Sequence, residues 1–364
     1  MSENGSQDFQ TLHEIVRAAR LNLGQGPWDF LIGGTETETT LRRNRRALDT
    51  MAFRPRVLRD VSQVDVAASL FGRKVRMPVF LAPVGTMESF DAGGAAASAR
   101  AAGAYGIAQM LSSATQPDLE AVAAAAPDNL RIFQFYVPGE GPGIAEAARR
   151  AQRNGYSAFC LTVDTQVYSR RERDLAKRHM KEWRPPPSIL EGQARLNWDD
   201  VKRFKDSQSL PLVLKGIATA EDAALACEHG VDVVYVSNHG GRQLDHGRGS
   251  LEVLPEILDA VQGRARVFFD GGVVRGSDIV KAIALGADAV GIGRMQCFGL
   301  AAAGSAGLVR ALELLEDEVR RCLGLLGVRG WEMLDKSYLH PAVSVTEPHV
   351  TSAFPLLDLD ESGY

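Results

Sequence analysis

Eight short apolar runs recur along this chain, and their spacing restricts its fold more than any other feature. They occupy 79–84 (Val-Phe-Leu-Ala-Pro-Val), 106–111, 131–137, 158–164 (Ala-Phe-Cys-Leu-Thr-Val-Asp), 211–216, 232–238, 266–272 and 288–294. Runs of this length, rich in Val, Leu and Phe, suit strands buried on both faces of a parallel sheet. Alanine-rich amphipathic stretches at 117–126, 143–153, 219–229 and 276–285 separate them. Strand–helix alternation repeated eight times predicts an α/β protein built as a closed (β/α)8, or TIM, barrel. An open doubly wound sheet is the alternative, but it rarely runs to eight such even units.

The 364 residues are ample for one such barrel with extensions, read as a single domain. Residues 1–77 are assigned to an N-terminal helical extension, 78–327 to the barrel and 328–364 to a C-terminal arm. Leu12, Ile15, Val16 and Ala19 mark one helix, and Pro27 opens a second carrying Trp28, Phe30 and Leu31. The cluster Arg42, Arg43, Arg45 and Arg46 reads as a solvated helix face, and 51–77 as extended and irregular. The interval 165–210 is about twice the usual spacing and holds Arg170, Arg171 and Arg173, then Pro185-Pro186-Pro187. After strand four of a barrel such an insertion is a lid or substrate loop, with a disordered excursion as the other reading for 175–195. A long helix is expected over 305–326.

Charge and cysteines narrow the class. A formal net charge of −4 gives no case for nucleic acid or an acidic membrane surface as partner. The four cysteines form no Cys-x-x-Cys pair, so no metal site is expected, and they read as thiols in a reducing compartment. The N-terminus has no basic and apolar leader pattern and no run looks long enough to span a bilayer. The expectation is a soluble cytoplasmic protein without a membrane partner.

In a barrel, the residues that finish the strands line one mouth, where active sites lie. The run Val231–Val236 ends in Ser237-Asn238-His239-Gly240-Gly241-Arg242, so a buried strand delivers an imidazole and a guanidinium to that mouth. An arginine can hold a carboxylate by two parallel hydrogen bonds, and a histidine can take a proton near neutral pH. The other strand ends are Pro83-Val84-Gly85, Ser112, Gln134 with Tyr136, Thr162 with Asp164, Lys215, Asp270-Gly271-Gly272 and Gly293-Arg294. This rim is rich in hydrogen-bonding groups, as a flat, heteroatom-rich cofactor needs. Glycines closing strands seven and eight are placed where barrels commonly bind phosphate.

Ser237-Asn-His-Gly-Gly-Arg-Gln-Leu-Asp245 resembles the active-site signature of the FMN-dependent α-hydroxy-acid oxidase/dehydrogenase family, which includes glycolate oxidase, lactate dehydrogenase and mandelate dehydrogenase. Phe53-Arg-Pro-Arg-Val-Leu, Leu81-Ala-Pro, Phe133-Gln-Phe-Tyr, Leu161-Thr-Val-Asp-Thr, Leu214-Lys-Gly, Asp270-Gly-Gly-Val and Ile292-Gly-Arg follow in family order. The resemblance implies FMN as cofactor, met by Pro83, Val84, Gly85, Ser112, Gln134, Thr162, Lys215 and Ser237. Its phosphate would lie near Gly272, Gly293 and Arg294, with Asp270 and Gly271 also among the cofactor-binding residues. It implies His239 as base, Asp164 as its partner, Tyr136 on the substrate oxygen, and Arg171 and Arg242 on the substrate carboxylate. The implied reaction converts an (S)-2-hydroxy acid to the 2-oxo acid, either with His239 removing the hydroxyl proton as hydride passes to flavin N5 or by a carbanion route in which His239 takes the α-proton. Oxygen, or a quinone or carrier, would accept the electrons, and the implied assembly is a homotetramer.

Departures from the family pattern refine that expectation. Phe30 stands where many members carry a tyrosine, Ala114 where many carry a tryptophan, and Gly85 where an alanine is common. Together they suggest a substrate with a larger aryl or long-chain group. Val274 replaces a phosphate-facing arginine, for which Arg275 is the expected substitute. The rival readings are a related flavin oxidase acting on a biosynthetic intermediate, and an FMN-binding barrel without turnover.

Overall fold

The computed structural model describes residues 9–139, 143–177 and 187–357. Eight parallel strands, β1 (Val79–Leu81), β2 (Ala108–Ser112), β3 (Arg131–Phe135), β4 (Ala158–Thr162), β5 (Leu212–Ile217), β6 (Val233–Val236), β7 (Arg266–Phe269) and β8 (Ala289–Ile292), pair in sequence order. The ring closes because β8 also pairs with β1, through Val290 opposite Val79 and Ile292 opposite Leu81. Each strand is all but fully buried, because alternate side chains fill the barrel and the rest meet the helices outside. Phe80, Met110, Ile132, Cys160, Tyr235 and Phe268 are among those inside. All eight strands overlap the predicted runs; six stop short of the predicted ends, while β2 and β5 run one residue past them. The residues left over, such as Pro83, Asp164, Ser237 and Gly271, leave the ladder and build the mouth.

The two ends of the barrel are closed differently. A short ribbon, Ala68–Leu70 paired with Arg73–Val75, joins the interior core at one end, with Phe71 edge-on to Phe268. At the other end two N-terminal helices, α2 (Gln25–Ile32) and α3 (Thr39–Asp49), border the mouth, while α1 (Leu12–Asn22) packs against the long helix that follows β8. Thr11 and Glu14 form a capping box that starts α1. The stretch 51–77 is therefore not wholly irregular: besides the ribbon, Met51–Phe53 pairs with Leu339–Pro341 of the C-terminal arm.

Arg45 corrects the reading of the arginine cluster as a solvated face. It is buried, donating to both carboxylate oxygens of Asp278, to Asp49 and to the Gly272 carbonyl, and so pins α3 to the loop after β7. A buried arginine persists only when its donors are satisfied in this way. The interval 165–210, read from sequence as an irregular insertion, carries helices α4 (Glu172–Ala176), α5 (Pro187–Arg195) and α6 (Trp198–Ser207), the last of them directly preceding β5. Residues 178–186, central to the lid expectation, lie outside the described residues. Gln193 of α5 ties the insertion down: its amide donates to the Thr162 carbonyl and to Thr165, and its oxygen accepts the Val137 N–H.

The expected 305–326 helix starts earlier, running Arg294–Leu326 with a break at Ala303 and Gly304. Contrary to the sequence expectation, it is long and apolar enough to match a bilayer span. It is nevertheless a core helix, most of that window being buried against the barrel and α1.

Candidate functional site

His239 reaches the mouth through an unusual turn. Its φ is +60°, and Gly240 and Gly241 follow at +64° and +74°. The left-handed region is costly for a residue with a side chain, so three in succession need firm support. Ser237 Oγ accepts the His239 N–H, and Asn238 Oδ1 accepts that of Gly241. Gly241 has no substitute, since a Cβ there would lie 2.5 Å from the Leu41 backbone of α3. The turn aims the imidazole between two partners. Nδ1 lies 3.1 Å from Asp164 Oδ1, and Nε2 lies 3.4 Å from the Tyr136 hydroxyl.

These neighbours set the charge states. Burial opposes ionisation of Asp164, but His239 and Lys215 hold its carboxyl below the usual range. Burial, then the Lys215 charge, lowers His239 below its ordinary value against the pull of Asp164, leaving a neutral ring at pH 7. With Asp164 ionised, the ring proton belongs on Nδ1 and the lone pair on Nε2. Burial raises the Tyr136 phenol, so it remains a donor.

Guanidiniums gather beside this pair. Arg242 Nη1 donates to the carbonyls of Phe30 and Gly33, and Arg294 donates to those of Leu31, Gly33 and Gly240. Carbonyls at the end of α2 are suited to cations, since the helix dipole is negative there. Burial and repulsion from Arg171 and Arg294 lower Arg242 well below its ordinary value, and burial pushes Arg294 down to about 10. Two buried donors nevertheless have no partner among the described residues: Arg242 Nη2 and Arg171 Nε. Unpaired charged donors in a cleft call for an anion.

The cleft itself is lined by Pro83, Val84, Gly85, Lys215, Asp270, Gly271, Gly272, Val274, Gly293 and Arg294 of the predicted set, with Phe30, Tyr136, Arg171, His239 and Arg242. Ser112, Gln134, Thr162, Asp164 and Ser237 do not line it; Asp164 and Ser237 hydrogen-bond His239 and line a neighbouring cavity instead. Ser112 is in register with Gln134, and Thr162 with Lys215, so these four share the rim. Both polar atoms of the buried Gln134 amide and the Thr162 hydroxyl lack partners among the described residues. A Cβ on Gly293 would meet nothing within 4 Å. Orphaned amide and hydroxyl groups beside Lys215, with an open backbone approach at Gly293, fit the polar edge and phosphate of a flavin nucleotide.

Arg275 is a correction. It does not line the cleft: its guanidinium pairs with Glu318, donates to the Ala353 carbonyl and lies over Phe354. As N-cap of the helix Gly276–Leu285 it faces outward, while buried Val274 faces the cleft. The position where the resemblance expects a phosphate-facing arginine is thus apolar.

Several lining residues escaped sequence reasoning. Phe90 stacks on Phe30 with centroids 6.1 Å apart, and Arg242 lies 4.6 Å over Phe30. Tyr168 sits beneath Arg171 at 4.8 Å. Leu190 enters from the insertion and Val350 from the C-terminal arm. No local pattern marks any of these; only tertiary placement brings them in. Tyr168 was the most accessible by reasoning, three residues before Arg171.

Comparison with known proteins places this arrangement. Residues 19–341 match the FMN-dependent dehydrogenase family. Glycolate oxidase of Spinacia oleracea is 37% identical over 357 residues, covering 91% of this chain and 96% of that protein. L-lactate oxidase of Nostoc sp. is also 37% identical, covering 90% and 97%. Among solved structures, mandelate oxidase with (S)-4-hydroxymandelic acid superimposes with a TM-score of 0.85 at 35% identity, covering 93% of this chain and all of that one. A flavocytochrome b2 variant with pyruvate bound gives 0.86 at 30% identity, covering 92% and 87%. Matched across nearly its whole length and shaped for a flavin nucleotide, the chain belongs to the FMN-dependent dehydrogenase family.

Proposed function

We propose that this chain oxidises a 2-hydroxy acid bearing an aryl or comparably bulky apolar group to the 2-oxo acid. One observation carries the reading: two guanidinium donors without a partner among the described residues, Arg171 Nε and Arg242 Nη2, converge with the His239–Asp164 pair on a cleft walled by Phe30, Phe90 and Tyr168. The guanidiniums hold the carboxylate. Neutral His239 takes the hydroxyl proton at Nε2, and Tyr136 donates to the same oxygen. Asp164 stabilises the imidazolium that results. Bound FMN, held by Lys215, Gln134, Thr162 and the glycine turns after β7 and β8, supplies the two-electron acceptor.

Bulk is set by what is small. Gly85 and Ala114 lie side by side in the cleft wall: the Thr86 N–H donates to the Ala114 carbonyl at 2.9 Å, and a Cβ added to Gly85 would lie 3.4 Å from that of Ala114. Together with Phe30 they leave an apolar bay beside the carboxylate site. Glycolate, lactate and mandelate oxidases among the relatives support the 2-hydroxy-acid class. The test is a panel of 2-hydroxy acids mixed anaerobically with the FMN-loaded protein. (S)-Mandelate should bleach the flavin band at least tenfold more efficiently than glycolate, a discrimination of ~1–3 kcal/mol. Equal efficiency would refute the bulky-substrate reading, and bleaching by no 2-hydroxy acid would refute the reaction. Peroxide formed during aerobic turnover identifies oxygen as acceptor; its absence points to a quinone or carrier.

A further inference from the structure

Arg171 opens the short helix α4, and the chain around it is fastened at several points to one N-terminal segment, residues 29–38. Before Arg171, the Arg170 carbonyl accepts from the Glu36 N–H at 2.9 Å and from the Thr35 hydroxyl at 3.3 Å. After it, Arg173 grips Glu38 with two hydrogen bonds, Nε to Oε1 at 2.9 Å and Nη2 to Oε2 at 2.6 Å. Lys177 then reaches the buried Asp29 at 2.6 Å. The same segment holds Arg242 through the Phe30 and Gly33 carbonyls. A Cβ on Gly33 would lie 3.3 Å from Arg173 Cδ, so the grip lies against the point where Arg242 is fixed.

Glu38 shows that this contact is built rather than incidental. It is buried, at the N-cap of α3, with φ +60°, yet its side chain caps no N–H of that helix. Its carboxylate serves Gly34 N–H and Arg173 instead. Burial opposes its ionisation, but Arg173 and Gly34 hold the carboxyl below its usual range. A carboxylate kept buried and charged on a strained backbone, facing a guanidinium two residues from Arg171, fixes where the insertion sits.

We propose that the Arg173–Glu38 pair is a latch that sets Arg171 over the cleft, making both members positioning residues for recognition of the substrate carboxylate. The proposal rests on the role given to Arg171 above. It predicts that the latch governs selection of an acid over its neutral amide, because only the acid uses the Arg171 charge. General stabilisation of the fold would move both ligands alike.

The test measures KM and kcat of the FMN-loaded protein for (S)-mandelate and for its carboxamide, (S)-2-hydroxy-2-phenylacetamide. Arg173→Ala should raise KM for the acid roughly tenfold, with kcat less affected and the amide changed no more than about twofold. Arg173→Lys, which keeps the charge, should recover much of the loss. Glu38→Gln should shift the acid-to-amide ratio in the same direction, and it carries the test if Arg173→Ala does not fold. Arg171→Met is the control. If it lowers the ratio while Arg173→Ala and Glu38→Gln leave it within twofold of the parent, the latch is refuted. If Arg171→Met leaves the ratio unchanged, the carboxylate role of Arg171 fails, and the latch with it.

Discussion

Replacing Asp164 by asparagine removes one charge from the site while keeping its shape, and the structure fixes what should follow. Asp164 Oδ1 lies 3.1 Å from His239 Nδ1, with the two side chains only 14% and 17% exposed. Unit charges at that separation attract by ~5 kcal/mol at an effective dielectric constant of ~20. The asparagine oxygen still accepts the Nδ1 hydrogen bond, so about 2–4 kcal/mol of the stabilisation of the imidazolium is lost. That is roughly a 30- to 1,000-fold fall in the rate of flavin reduction by an excellent substrate. The pH profile gives a second, signed readout. Asp164 is what raises the His239 pKa against burial and Lys215. Without it, that pKa drops further, and the acid limb of kcat/KM moves to lower pH. The variant should therefore be slower, yet keep its own maximal rate to more acidic conditions. Stopped-flow reduction under anaerobic conditions across pH 4–8 (on the order of the range where histidine titrates) reads both effects. A rate within threefold of the parent, or an acid limb displaced upward, would refute the assignment of Asp164 as partner of the base.

Three further outcomes follow from the cleft. Val274→Arg places a cation where the wall is apolar, and fluorescence titration should show FMN bound roughly tenfold more tightly, as one charge-assisted hydrogen bond provides. Arg275→Ala should leave FMN affinity within about twofold, since its guanidinium serves Glu318 and Ala353; a loss of tenfold or more would restore it to the phosphate site. Ala114→Trp fills the bay, so kcat/KM for mandelate should fall by about 100-fold relative to that for glycolate. An unchanged ratio would show that the aryl group lies elsewhere.

The barrel was legible because its signal is local and repeated: each β-branched or aromatic run carries its own turn residues, and eight repeats leave few topologies open. The catalytic cluster was legible for a related reason, since strand ends in a barrel converge whatever the loops do. What sequence could not show depends on contacts between distant segments. Arg45 looks like its exposed neighbours in the helix, and only the Asp278 carboxylate, 233 positions away, explains its burial. Arg275 was misplaced because one residue along a turn reverses a side chain, and Glu318 and the C-terminal arm determine which way it faces. Phe90 and Val350 come from loops with no periodic signature, so nothing before the fold assigns them to the cleft. The helices of the insertion were missed because the Arg- and Pro-rich composition around them obscures any periodicity, and α5 is held by the bonds Gln193 makes to the distant Val137 and Thr162.

The central claim is that a neutral imidazole at the end of β6 removes the proton that lets a bound 2-hydroxy acid reduce FMN. Its most direct test is the single-turnover anaerobic rate at which (S)-mandelate bleaches the flavin in His239→Ala, with cofactor content matched to the parent. The account predicts a rate lower by roughly 10²–10⁴-fold, the usual contribution of a positioned base; bleaching within a few fold of the parent would contradict it.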